Sequence, residues 1–262
     1  MNAAQASEVW AAARRDLAML AVYLEDPHLL LRGPAVLVIS GGPTADFNLA
    51  MLDISSDDVA MLREFVARVR AAGVSALFML SSASSARLAA VARAEGLSEA
   101  AAAPLMLLTG ATADVARSDP FSIEHVADPT RLVIVGDLVA SAFGLDRAWV
   151  GRTFTAASLL KAPGVRYFLA TKDGEPCSTV MTTVGKGPVG IWNMATAPER
   201  QRQGAGRAVL HAAMEHHRAQ GSNSFYLIAT PAGKPLYDAS GFTTVDKLAI
   251  WMAGHSDQFA YH

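Results

Sequence analysis

Ile191-Trp-Asn-Met-Ala-Thr-Ala-Pro-Glu-Arg-Gln-Arg-Gln-Gly-Ala-Gly206 is the stretch whose reading decides the fold. It opens as an apolar strand, turns at Pro198, and passes through a glycine-bearing loop into a helix over about 205–219. A loop of this kind points successive backbone N–H groups at one spot, together with the positive end of the helix dipole. Such a spot suits a phosphate or pyrophosphate. The alternative is a tight turn with close packing, and the surroundings have to separate the two.

Downstream, the pattern reads as a strand over 225–230, a short helix over 235–240 stopped at Gly241-Phe242, and a last strand over 244–252. Upstream, Pro163-Gly164 opens an antiparallel meander over 165–171, 177–183 and 189–196. Two helices, about 131–143 and 146–160, precede it and break at Gly144. Residues 109–130 are rich in Thr, Ser, Asp and Pro and read as a linker. The first half starts with an apolar face at helical spacing over 5–25, ended by Asp26-Pro27. Strands follow at 35–40, 47–53, 76–80 and 105–108. Helices lie between them, one capped by Ser55 or Ser56 and running to Ala72, the other over 84–95.

The two halves share a plan of strand, helix, glycine, strand, helix, glycine, strand, with spacings that agree to within a few residues. They differ at the first helix start. The first copy has Ile54-Ser55-Ser56-Asp57-Asp58 where the second has the Gln/Arg/Gly loop, and two carboxylates there repel an anion. Only the second copy is therefore expected to bind phosphate. The reading places a degenerate domain at 1–118 and a competent one at 119–262.

The bulk composition excludes several classes. A formal net charge of −2 over 262 residues gives no basic surface for nucleic acid. The single cysteine, Cys177, excludes an internal disulfide framework and fits a reducing cytoplasm. The start lacks the basic-then-apolar order of a signal peptide, and charged residues or Gly interrupt each apolar run before it reaches membrane-spanning length. A soluble cytoplasmic protein is expected, with no membrane partner.

Three features together resemble the GNAT N-acetyltransferase superfamily. They are the order of two helices, a meander, a long helix, a strand, a short helix and a last strand; the run Gln201-Arg202-Gln203-Gly204-Ala205-Gly206; and Pro235-Leu236-Tyr237-Asp238-Ala239-Ser240-Gly241-Phe242. The resemblance implies a mixed α/β (α+β) fold, with a mostly antiparallel sheet flanked by helices, in two tandem GNAT-like domains. It implies acetyl-CoA as cosubstrate, no metal, and direct acyl transfer to a primary amine of a small-molecule or peptide acceptor. It also leaves room for a homodimer.

The resemblance assigns the pyrophosphate to the loop amides of Gln203–Gly206, with Gln201 beside them and Arg202 and Arg207 as added charge or as solvated surface arginines. Met194, Ala195 and Thr196 offer a strand edge to the pantetheine amides, and an N–H near Ala195 polarises the thioester. Tyr237 stands where the family keeps the acid that protonates the departing thiolate, the alternative being a packing tyrosine. A general base is not evident: the strand carries Asn193 but no carboxylate, Glu199 faces solvent, and His125 and Asp128 are weak candidates. Without a base, an acyl-CoA-binding sensor or scaffold is the competing reading. Trp149 and Phe154 shape an acceptor pocket or pack the core. His211, His216 and His217 have no metal-pair spacing and are expected on the surface. Trp192, Trp251 and Phe242 are expected to pack, and Cys177 to fill buried space.

Overall fold

The structure is a computed structural model and describes residues 3–53, 58–110 and 120–254. In chain order the first elements are α1 (Ala3–Val22), β1 (His28–Arg32), β2 (Ala35–Ile39), β3 (Asn48–Leu52), α2 (Asp58–Ala72), β4 (Ala76–Leu80), α3 (Ser82–Ala94) and β5 (Ser98–Thr109). After them come β6 (Ser122–Val126), α4 (Pro129–Phe143), α5 (Arg147–Arg152), β7 (Val165–Lys172), β8 (Glu175–Thr183), β9 (Val189–Thr196), α6 (Ala205–Arg218), β10 (Ser224–Ile228), α7 (Lys234–Ala239) and β11 (Thr243–Ala253). They form two compact units that interleave in sequence. Unit 1 holds Met1–Met106, Ile228–Lys234 and Thr244–His262, and unit 2 holds Leu107–Leu227 and Pro235–Thr243.

Unit 1 is a sheet in the order β1-β2-β3-β4-β11-β5. β3 and β4 run parallel, and the other registered pairs, β1 with β2, β2 with β3 and β11 with β4, are antiparallel. Strands β2 and β4 are buried along their whole length, which is why they read as unbroken apolar runs. Phe65, Phe78, Leu62 and Trp251 centre a core that α2 and α3 cover. The last strand of the chain, β11, lies here: Ile250 pairs with Met79 and Trp251 with Phe78. Buried Asp246 ties it down, accepting the Trp10 indole N–H at 2.9 Å. Asp58, expected at a helix start, is buried against the Arg87 guanidinium at 3.2 Å; Ser55, Ser56 and Asp57 lie outside the described residues. The sequence reading misses β1, a five-residue hairpin strand packed between the end of α1 and Gly33.

Unit 2 is a sheet in the order β10-β9-β8-β7-β6, with α4 packed on β8 and β9 and with α6 packed on β7, β8 and β9. The stretch read as a linker contains β6, an edge strand whose Ser-Ile-Glu-His-Val alternation is too short and too polar to announce itself. The helix expected over 146–160 ends at Arg152. Thr153 breaks it, with its hydroxyl on the Trp149 carbonyl at 2.6 Å, and a short 3-10 turn (Ala157–Lys161) finishes the segment. Phe154 then turns its carbonyl to the buried Tyr167 hydroxyl at 2.8 Å.

The two halves repeat one order, β3-α2-β4-α3-β5 and β9-α6-β10-α7-β11. The first helix in each is closed by a left-handed glycine, Gly73 or Gly221.

Candidate active site

The site is built where β9 leaves β10. The two strands are parallel but in register for two residues, Val189 with Phe225 and Gly190 with Tyr226. Beyond Gly190 they part. On its other side β9 stays with β8, and the register slips there: Thr179 pairs with Ala195 and Met181 with Trp192, so Asn193 and Met194 oppose Val180 alone. This is a β-bulge, and Asn193 carries its strain at φ +47°.

The bulge decides what faces where. Trp192 donates its indole N–H to Thr183 Oγ1 at 2.8 Å and meets the Tyr226 ring edge-on. Met194, which would share that face in a regular strand, instead lies with Thr196 over α6. A Cβ placed on Gly206 would come within 3.1 Å of Met194 Cε and 3.2 Å of Thr196 Oγ1. The Ala195 carbonyl takes the Ser178 hydroxyl at 2.8 Å, and Ala197 N–H donates to Cys177 at 3.0 Å. Alternate residues 195 and 197 thus face β8, so the groups on the open edge are those of Met194 and Thr196. Ala195 itself is buried.

The loop after β9 makes a short turn at Pro198–Arg200 and is braced by side chains. Gln201 reaches back to the Thr196 carbonyl at 3.4 Å, and Gln203 donates to the Glu199 carbonyl at 2.9 Å. Gly204, at φ +94°, caps α6 without a side chain, and the first helical bond runs from Ala208 N–H to its carbonyl at 2.9 Å. The N–H groups of Ala205, Gly206 and Arg207 lie ahead of that bond at the positive end of the helix. Arg202 and Arg207 are exposed beside them.

Two further cations belong to this neighbourhood and were not singled out in the sequence. Burial pushes the Cys177 thiol up, while Arg200 and Lys172 pull it back, which sets both cations within electrostatic reach of this end of β8. Lys172 also lies over the Phe121 ring at 5.9 Å, and that ring borders Gly204. Arg200 was legible as part of the loop. Lys172 stood in an ordinary hairpin turn and gave no signal.

Tyr237, on α7, is buried, its ring edge-on to Phe242. Its hydroxyl donates to Met194 Sδ at 3.5 Å, which joins α7 to the open edge of β9. Burial pushes the phenol well above its ordinary value, so the group keeps its proton and faces the site as a neutral hydroxyl.

The other candidates go elsewhere. Asp128 caps α4, accepting Thr130 N–H at 2.7 Å. Trp149 stacks under the Arg152 guanidinium at 4.6 Å. His217 is a correction: it is buried, not on the surface, with Nε2 bonded to Thr182 at 2.8 Å. His216 is half-buried and parallel to the His125 ring at 5.8 Å, with Phe168 edge-on to it. The face of α6 that packs on β7 and β8 carries these histidines. No cluster that could hold a metal ion occurs among the described residues, and no described helix is long and apolar enough to cross a membrane.

Residues 163–244 match the family model described as an acetyltransferase (GNAT) domain. The match thus runs from just before β7 to the start of β11. Solved structures extend the likeness of fold to nearly the whole chain. A GCN5-related N-acetyltransferase from Kribbella flavida aligns at TM-score 0.69 and 15% identity, over 94% of this chain and 96% of that one. One from Sphaerobacter thermophilus aligns at 0.61 and 12%, over 87% and 83%. A tandem GNAT protein from the clavulanic acid biosynthesis pathway aligns at 0.57 and 15%, over 97% and 95%. No curated protein matches the chain.

Proposed function

We propose that the protein is an N-acetyltransferase that moves an acetyl or short acyl group from acyl-CoA directly to a primary amine, using one site in unit 2. The observation that carries this reading is the parting of β9 from β10 beside an uncapped glycine helix start, with a buried phenol at the same edge. Unit 1 supplies the contrast. There the equivalent strands β3 and β4 stay in register from Leu49↔Leu77 to Leu52↔Leu80, and Ser81 N–H closes on the Leu52 carbonyl at 3.2 Å. Residues 1–118 are a degenerate copy with its cleft zipped shut.

Acetyl-CoA supplies the activated acyl thioester. The amides of Gly204–Arg207, with Arg200, Arg202 and Lys172 around them, hold its pyrophosphate and remaining phosphate. Met194 and Thr196 offer the pantetheine amides the N–H and C=O groups that β10 leaves unpaired. An N–H on this edge polarises the thioester carbonyl, and the bulge at Asn193 aims it. As the amine nitrogen bonds to the carbonyl carbon and the C–S bond breaks, Tyr237 gives its proton to the departing sulfur. The nitrogen releases its extra proton to water, and the phenolate recovers one from solvent.

Two measurements test this. Acetyl-CoA at a hundred times its Kd should raise the unfolding midpoint by an amount corresponding to about 2.7 kcal/mol, and free thiol should appear with an amine panel. Tyr237→Phe should slow turnover far more than it weakens binding. A stabilising nucleotide with no response to acetyl-CoA refutes the CoA site. Binding without thiol release for any amine leaves a sensor or scaffold instead of an enzyme.

A further inference from the structure

Tyr237 already has a sulfur in front of it. Its hydroxyl lies 3.5 Å from Met194 Sδ, the contact length of an O–H···S bond, and the residue is buried. Met194 reaches that position because the bulge turns it off the Trp192 face and over Gly206, where a Cβ would sit 3.1 Å from Met194 Cε and 3.5 Å from Leu236 Cδ2. Gly206 has no side chain, and the thioether fills the space this leaves between α6, α7 and β9. A thioether on three rotatable bonds is soft and easily re-seated. A thioester sulfur has the same size and the same weak acceptor character.

We infer that the Met194 side chain is a gate on Tyr237, its thioether occupying in the free protein the place that the acyl-CoA sulfur takes during turnover. This rests on the acyl-CoA reading of the site and adds a positioning residue to it. The backbone of Met194 serves the pantetheine edge in either state; only its side chain moves. With Met194 in place, the phenol is satisfied and shielded from water, which keeps it protonated until a substrate sulfur arrives. Binding must then displace the O–H···S contact, and that competition weakens affinity.

The coupling gives a test that simple packing would not mimic. Removing the Met194 sulfur frees the phenol for the substrate sulfur, whereas removing the phenol takes away both contacts. Met194→Leu should tighten acetyl-CoA binding about two- to five-fold in calorimetry, and that gain should vanish in the Tyr237→Phe background, where no hydroxyl is left to be freed. In protein labelled with ¹³C at the methionine methyls, the Met194 resonance (identified by its loss in Met194→Leu) should move on saturation with acetyl-CoA. It should also differ between wild type and Tyr237→Phe without ligand. If acetyl-CoA binds wild type but the resonance stays put, or if the gain in affinity of Met194→Leu is absent or persists in the Tyr237→Phe background, the gate is refuted and the CoA site stands. If acetyl-CoA does not bind at all, both fall.

Discussion

Acidification should act on unit 2 through His217. The ring is buried between α6 and the sheet, with Nε2 on the Thr182 hydroxyl and Nδ1 without a hydrogen-bond partner among the described residues. A second proton on it would leave a buried N–H with no acceptor. The charges facing it oppose protonation further: His216 from α6, Arg166 from β7 and His125 from β6. Glu124 of β6 is neutralised by Arg131 at 2.7 Å, and Glu215 is exposed on α6. Burial first, then His216, Arg166 and His125, lower the ring from 6.5 to about 4. A folded-state value below the unfolded one means that the stability is complete above 6.5 and is lost as pH falls from there toward 4. By pH 5 the loss comes to about 2 kcal/mol, approaching a ceiling of about 3 kcal/mol at lower pH. His125, lowered in the same direction by burial and by Arg166, adds with the same sign.

Urea unfolding at pH 8 and pH 5, followed by circular dichroism and tryptophan fluorescence, measures this. His217→Gln keeps a hydrogen-bonding group toward Thr182 and cannot titrate, so its loss between the two pH values should be at least 1 kcal/mol smaller than that of wild type. The His217 ring protons should titrate near 4 by NMR. A variant that loses as much stability as wild type would refute the assignment, as would a His217 resonance titrating near 6.5.

Two substitutions probe the glycines of the site. Gly204→Glu places a side chain and a negative charge on a left-handed cap at the helix start, and should abolish the acetyl-CoA-induced rise in unfolding midpoint; retained affinity counts against the phosphate placement. Gly190→Ala drives a methyl into Trp192 Nε1, Thr183 Oγ1 and the Tyr226 hydroxyl. It should cost about 1–3 kcal/mol in unfolding free energy and shift Trp192 emission; an unchanged midpoint would mean that the aromatic pair re-seats freely.

How far the sequence could be read varied with the kind of signal involved. Strands β2 and β4 announced themselves, because a strand covered on both faces is a continuous apolar run between turn residues. The loop at 201–206 and the Tyr237 segment were legible because their chemistry is local. What escaped depends on partners distant in sequence. His217 finds Thr182 thirty-five positions away, and helical spacing alone cannot reveal a contact across to a strand. Edge strands β1 and β6 have one neighbour each, so half-polar sequences suffice for them. The bulge at Asn193 and Met194 is a one-residue slip in register, which leaves no compositional trace. Ala195 stands at the centre of the expected edge, and its carbonyl accepts a hydroxyl from Ser178, seventeen positions away.

The place of β11 changes what counts as a separable piece. A gene fragment ending at residue 118 would encode β4 without the strand that hydrogen-bonds along it from Ala76 to Leu80, leaving an open, fully apolar edge of the kind that recruits other chains. A fragment starting at 119 would carry β11 with its apolar residues and no β4 to receive them. Neither fragment is suited to purification alone, but the two are suited to complementation. Co-expressed, each supplies what the other lacks, so a cut anywhere between β4 and β11 makes a two-part reporter whose signal depends on one donated strand.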